Sequence, residues 1–357
     1  MSKSMRKRYR TRLEEGFPQE LRIILGGEEI VYEKTLSLRY GENPHQPAAF
    51  YSPKRGKLTI GGLRILKSGK GGLSQTNVED ANNALEILKF FDESASAAMK
   101  HLNPSGVAAS RGPGDSLKDI YVRARDCDSL AAFGSVVGFN RPVDVETAEE
   151  VLSSFVEVVV APSFDNEAMN TFQKKKGLRV LQVDNLGEMS RYIGDDPQHH
   201  TIKTLMDGSL IVSTSLLTKV HGPSDLRTVT ERKPTPEEAA ALVFSWHVCM
   251  NVRSNGVVAS KDKTTLGIGT GQQDRVMAIK LALEKAVARG HGAALKGAVL
   301  ASDGFFPFPD SIEVMAEHGV SACVQPGGSI KDKEVIKACD DNGIAMAFTD
   351  ERCFRHF

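Results

Sequence analysis

Lysine and histidine stand side by side in the stretch Ala98-Met-Lys100-His101-Leu-Asn103-Pro104-Ser-Gly106. Together they offer a cation and a titratable base. The run Ser94–Met99 before them mixes small and apolar residues, and Pro and Gly follow. The segment therefore reads as a buried strand emptying into a turn made by Asn103-Pro104 and closed by Gly106. Open α/β sheets place their chemistry there, outside the carboxyl ends of the strands. The same pair also reads as a plain Lys-His surface turn, because a short motif has little specificity alone.

Three further constellations carry recognition chemistry. Leu38-Arg39-Tyr40-Gly41-Glu42-Asn43-Pro44-His45-Gln46 crowds Arg, Tyr, Asn, His and Gln into one Gly/Pro loop, and arginine can fork onto a phosphate. Thr265-Leu-Gly267-Ile-Gly269-Thr-Gly271-Gln272-Gln273-Asp-Arg275 reads as a glycine-rich loop between a strand and a helix, with Arg275 as the anchor for an anion. It matches neither a dinucleotide-binding nor a P-loop pattern. Ser302-Asp303-Gly304-Phe305-Phe306-Pro307-Phe308-Pro309-Asp310 offers a rigid apolar lip for a flat heteroaromatic ring, or simply a core corner. The terminal Arg352-Cys353-Phe354-Arg355-His356-Phe357 is cationic and aromatic, either docked into a site or frayed. Metal-ligand spacings such as H-x-x-x-H, H-E-x-x-H or H-x-E with P-C-x-x-C are missing, so no catalytic metal is expected.

The elements that must position these groups alternate along the chain. Asn77–Phe91 reads as a helix with Asn77 as its N-cap, Glu146–Phe155 as a helix, and Glu157–Ala161 as a short strand stopped by Pro162. Residues 186–235 are irregular and polar, with Asp195-Asp196-Pro197 and one strand, Ser209–Ser213. Thr235-Pro236-Glu237-Glu238 opens a helix with a capping Thr, Pro at the first position and acids in the first turn. Strand, helix and strand patterns then continue from Gly256 to Thr349. The alternation implies mainly parallel sheets with helices on both faces, in two similar α/β halves.

Size and charge narrow the class. The 357 residues allow about two to three domains. The 45 basic and 45 acidic side chains balance, which argues against a nucleic-acid or membrane-surface partner. Five cysteines without a C-x-x-C pair read as reduced thiols of a cytoplasmic protein. No apolar run approaches the ~18 residues of a membrane span. The basic start, residues 1–16, reads as a solvated tail without the apolar stretch of a signal peptide.

Taken in order, the motifs Leu38–Gln46, Lys100–Gly106, Asp128-Ser-Leu-Ala-Ala-Phe-Gly134, Ser254-Asn255, Gly267-x-Gly-x-Gly-Gln-Gln, Ser302–Phe308 and Gln325-Pro-Gly-Gly-Ser329 resemble one family. It is the transformylase part of the bifunctional AICAR transformylase/IMP cyclohydrolase enzymes of purine biosynthesis, and the likeness runs from about Phe17 to the C-terminus. The resemblance implies two tandem cytidine-deaminase-like three-layer α/β/α subdomains without zinc, spanning 17–225 and 226–357. It implies a homodimer with sites at the subunit interface. The reaction implied is formyl transfer from the cosubstrate 10-formyltetrahydrofolate to the 5-amino group of AICAR. The cyclohydrolase module is not seen in this sequence, so the expectation is a stand-alone transformylase beside a separate cyclohydrolase.

The resemblance also assigns roles. His101 takes the amine's proton, Lys100 stabilises charge on the formyl oxygen, and Asn255 contacts the reacting region. Arg39 and Arg352 hold the phosphate, Tyr40 contacts the nucleotide, and Phe305 and Pro307 line the ring cleft. Asp310 bonds the pterin, Arg275 helps to hold substrate or folate, and His356 matches a terminal histidine of the family. The segment Gly208–Ser215 departs from the family pattern, offering the hydroxyls of Ser213, Thr214 and Ser215 where an aspartate is usual. Phe308 is followed by Pro309 rather than Arg, and Trp246 by His247 rather than Lys. These departures leave two alternatives: a different one-carbon donor or aminoimidazole, and a non-catalytic purine-nucleotide-binding protein.

Overall fold

The computed structural model describes residues 11, 14–196 and 199–356. Most of the basic start (1–10, 12 and 13), Pro197, Gln198 and Phe357 lie outside the described residues. The chain forms two compact units, Met1–Gly187 and Glu188–Phe357. The segment 188–225, grouped with the first half in the sequence reading, clusters with the second unit.

In the first unit, β1 (Glu20–Leu25), β2 (Glu28–Ser37) and β3 (Ala49–Pro53) form a small antiparallel sheet. The main body follows as β4 (Arg64–Lys67), α1 (Gln75–Leu88), β5 (Ala95–Lys100), β6 (Asn103–Ala109), α2 (Leu117–Asp126), β7 (Ser135–Phe139), α3 (Val145–Leu152), β8 (Val156–Ala161), α4 (Asn166–Gln173) and β9 (Arg179–Gln182). Its strands lie in the order β6-β5-β7-β8-β9-β4.

The second unit opens with an exposed hairpin, β10 (His200–Thr204) and β11 (Leu210–Thr214). Then come β12 (Arg227–Thr228), α5 (Pro236–Cys249), β13 (Val257–Lys261), β14 (Thr264–Gly269), α6 (Arg275–Ala288), β15 (Val299–Ser302), α7 (Asp310–Glu317), β16 (Ala322–Gln325), α8 (Asp332–Asp341) and β17 (Ala345–Phe348). The strand order is β14-β13-β15-β16-β17-β12.

The two bodies repeat each other element for element. From the hairpin strand outward, both sheets run antiparallel, antiparallel, parallel, parallel, antiparallel. The similar halves read from the alternation are present, but the mainly parallel sheet is corrected to a mixed one. The reason is the two hairpins, β5–β6 and β13–β14. Their two-residue turns, His101-Leu102 and Asp262-Lys263, lack the Asn-Gly wording that announces a tight hairpin.

Alternation along the strands sorts the helices. A Cβ on Gly138 of β7 would press on Ala84 and Leu88 of α1. The flanking Val137 and Phe139 pack with α2, α3 and α4. Successive strand residues point to opposite faces, so α1 covers one face and α2–α4 the other. In the second unit, Ser260 of β13 meets Ser245 of α5 at 2.5 Å, while Val257 and Ala259 pack with α6–α8. Each unit is thus a three-layer α/β/α sandwich.

Two local readings change. Ser74, rather than Asn77, caps α1, and the Asn77 side chain returns the bond to the Ser74 N–H at 3.2 Å, closing a capping box. Gly267 and Gly269 lie inside β14 and do not form a ligand loop. A Cβ on either would sit about 2 Å from a carbonyl of α6 (2.0 Å to Ala282, 1.9 Å to Ala278), so these glycines let the helix press onto the strand.

Candidate active site

Helix α1 organises the first unit's polar groups. Its buried face carries Asn77, Asp80 and Asn83 at i, i+3 spacing, all under a tenth exposed. Asn77 reaches the Glu157 carboxylate at 3.2 Å. Asp80 accepts the Leu102 N–H at 2.6 Å, and Asn83 donates to the Leu102 carbonyl at 3.3 Å. Burial pushes the Asp80 carboxyl up to about 6, against the opposing pull of the Leu102 and His101 N–H groups and of nearby Lys100 and His101. None of these helix residues was singled out from the sequence. The available signal was three polar residues in register on the face meant for the core.

Lys100 ends β5, and His101 begins the turn. The strand is as expected, but the turn is His101-Leu102, and Asn103-Pro104 already belongs to β6. Ser105 is the extra residue of a bulge in β6, and its hydroxyl donates to Ala98 O at 3.1 Å. The Lys100 ammonium donates to Gly134 O at 2.6 Å and Phe133 O at 3.3 Å. The corresponding Lys261 likewise donates to Lys296 O at 2.8 Å, so both halves anchor the hairpin this way. The His101 side chain is exposed at the tip.

Arg39 and Tyr40 sit against the start of α1: Arg39 N–H donates to Leu73 O at 2.7 Å, and Gln75 N–H donates to Tyr40 O at 3.0 Å. The Arg39 guanidinium bonds the Tyr40 hydroxyl at 3.0 Å and Lys70 O at 3.3 Å. Arg179, unflagged by sequence, also donates to Lys70 O, at 3.0 Å. Burial, then the charge of Arg39, lowers the Arg179 pKa. The Glu157 carboxylate is 3.9 Å from Arg179, and the buried Arg39 Nε has no hydrogen-bond partner. Two crowded guanidiniums with an unused N–H suit an anionic ligand.

In the second unit, Asn255, Arg275, Phe305, Pro307 and Arg352 line one cavity of about 630 Å³. Arg275 and Asp303 form a buried ion pair. Arg275 also donates to Asn255 Oδ1 at 2.5 Å and Gly256 O at 3.3 Å, while Asn255 Nδ2 donates to Gln272 O at 2.8 Å. Asp303 in turn accepts from Gly256 N–H at 2.8 Å and from the Ser254 hydroxyl. The carboxamide of Asn255 is therefore fixed at both ends, and Arg275 spends its guanidinium on holding it. Phe354 supplies an aromatic wall with the Arg352 cation 4.7 Å from its centroid.

Asp310 and His356 do not line this cavity. Asp310 is exposed at the start of α7 and accepts from Ser311 N–H at 2.7 Å. His356 meets Phe354 edge-on at 5.9 Å. Ser213 and Thr214 lie on the exposed strand β11, where Ser215 follows them and gives its hydroxyl to His199 O at 2.6 Å. Buried His247 bonds Val220 O at 2.9 Å. Among the described residues no group of three or more His, Cys, Asp or Glu is placed to hold a metal ion, and no helix is long and apolar enough to cross a membrane.

The family described as the AICARFT/IMPCHase bienzyme matches residues 4–285. The chain belongs to this family. It is 41% identical over 344 residues to the bifunctional purine biosynthesis protein PurH of Acetivibrio thermocellus, covering 96% of this chain and 62% of that one. The proteins of the same description from Nostoc punctiforme and Caldicellulosiruptor saccharolyticus are each 43% identical, over 90% and 91% of this chain and 58% and 60% of theirs. The chain thus spans about three fifths of the length of these relatives.

Proposed function

We propose that this chain transfers the formyl group of 10-formyltetrahydrofolate to the 5-amino group of AICAR. The observation that carries the reading is the second-unit cavity, which gathers five of the residues that the family likeness names, with Asn255 locked in orientation. In the proposed step the amine nitrogen attacks the formyl carbon and a C–N bond forms. The bond from that carbon to N10 of the folate breaks, its electron pair leaving with tetrahydrofolate. His101 takes the amine's proton, N10 takes up a proton as it leaves so that tetrahydrofolate is released with its N–H, and Lys100 and Asn255 stabilise charge at the reacting centre. A neighbouring carboxamide weakens the amine as a nucleophile, so fixed geometry supplies much of the rate.

Arg39, with Tyr40 beside it, and Arg352 are the proposed phosphate and nucleotide contacts. Phe305 and Pro307 are the ring wall, and Asp310, Arg275 and His356 serve the folate side. The proposed subdomains are cytidine-deaminase-like, and no catalytic metal takes part. We also propose a cytoplasmic homodimer. The exposed apolar side chains of Ile202, Leu210, Ile211 and Val212 on the β10–β11 hairpin favour a covered surface there.

The test mixes purified protein with AICAR and 10-formyltetrahydrofolate and follows tetrahydrofolate release. Release that His101→Ala abolishes supports reaction and base together. AICAR binding without release would point to another one-carbon donor and to the hydroxyls of Ser213–Ser215. An unchanged rate in His101→Ala would remove His101 from the mechanism.

A further inference from the structure

The turn that presents His101 is conformationally expensive. His101 has φ 54° and Leu102 φ 67°, both in the left-handed region that residues with a Cβ rarely enter. Two-residue hairpin turns of this kind normally take Asn-Gly. Leucine at the second position has no polar group to ease the cost, so something outside the turn must hold it.

The internal duplication supplies a comparison within one chain. The second half makes the same turn at Asp262 and Lys263, with φ 49° and 53°. Ser74 and Thr235 cap the corresponding helices α1 and α5, each with a capping box. Counting six and nine residues from each cap pairs Asp80 with Ala241 and Asn83 with Phe244. The second half therefore has apolar side chains where the first has a buried carboxylate and a buried carboxamide. Those two polar groups grip both backbone groups of Leu102, the N–H at 2.6 Å and the carbonyl at 3.3 Å. A repeated fold needs the turn in both copies; the copy carrying His101 has a carboxylate and a carboxamide at these two helix positions, and the other has Ala241 and Phe244.

We propose that Asp80 and Asn83 are positioning residues for His101, clamping Leu102 in the left-handed conformation so that the imidazole is held at the hairpin tip in its working orientation. The inference rests on the reading of His101 as the base. Neither residue touches substrate; both act through the backbone. Burying an ionisable carboxyl on the core face of a helix is a poor choice for stability alone, and it fits a group kept for geometry.

The test compares Asp80→Ala, the double variant Asp80→Ala/Leu102→Gly, and the wild type. It uses steady-state kinetics with AICAR and 10-formyltetrahydrofolate, and hydrogen exchange at the Leu102 amide. Asp80→Ala is expected to lower kcat by about 10- to 100-fold with KM for AICAR changed little, since displacing a catalytic group by about 1 Å has that order of effect. Leu102 exchange should accelerate at least about tenfold as its acceptor is lost. Adding Leu102→Gly, which enters positive φ without strain, should recover most of the lost kcat. A merely structural role would not give this rescue. Unchanged kcat in Asp80→Ala, or a loss that glycine does not restore, would overturn the proposal. If Asp80→Ala does not fold, Asn83→Ala takes its place with the same expected and refuting results. A wild type without turnover would overturn the reading of function, while exchange at Leu102 would still report whether the clamp exists.

Discussion

Replacing Asp80 by asparagine should change how stability depends on pH, and the structure sets the size of the effect. The carboxyl ionises near 3.8 when free and near 6 in the folded chain, burial being the dominant cause. Between those values the folded state binds the proton that the unfolded state has released. Unfolding then releases a proton, so stability falls as pH rises from about 4 to about 6 and is flat above. A difference of about two pH units corresponds to about 3 kcal/mol. The carboxamide introduced by Asp80→Asn cannot ionise, so the stability of this variant relative to wild type should rise by about 3 kcal/mol between pH 4 and pH 7. Hydrogen exchange of peptides covering β5 and β7, compared between the two proteins at each pH, reads the first unit. A difference between the proteins that stays constant from pH 4 to pH 7 would refute the reasoning, because it would mean that Asp80 is not a buried carboxylate.

Other perturbations separate packing from charge. Gly106→Ala would put a Cβ 2.0 Å from Ala124 O and 2.6 Å from Cys127 Cβ; it should destabilise by about 3 kcal/mol or more. Gly177→Ala, with open space around it, should stay within about 0.5 kcal/mol in the same denaturation assay. Arg275→Ala strands the fully buried Asp303 carboxylate and frees the Asn255 carboxamide, so thermal denaturation should show a loss of about 3–5 kcal/mol. Ile211→Lys on the exposed hairpin should move the light-scattering mass from twice 38.8 kDa towards 38.8 kDa; a wild type already at the lower mass would remove the dimer from the proposal.

Much of the organisation is legible in the sequence because local rules fix it. The cap at Thr235, the strand before Pro162 and the strand–helix alternation of the second half follow from hydrogen-bonding chemistry and periodicity over a few residues, and they stand in the structure. The order of the motifs along the chain is likewise read directly from the sequence, and it pointed to the family that the comparisons show. The sense of the strands is not legible locally, because His101-Leu102 and Asp262-Lys263 turn without glycine or asparagine. In the first unit the turn is gripped by a carboxylate and a carboxamide from α1, about 20 residues away in the chain.

The sequence by itself determined which side chains are available: a Lys-His pair, arginines in Gly/Pro loops, an aromatic lip and a cationic end. Only the tertiary structure decided how they are used. It spends Arg275 on Asp303 and Asn255, turns Gly267 and Gly269 from a ligand loop into helix seats, and leaves Asp310 outside the cavity. It also gathers Asn77, Asp80 and Asn83 on the helix face behind the hairpin that carries His101. The physical reason is that hydrogen bonds and burial depend on distances between residues remote in the chain. Asp80 and Leu102 are 22 positions apart, Asn77 and Glu157 80 apart, and no local pattern encodes which of them will meet.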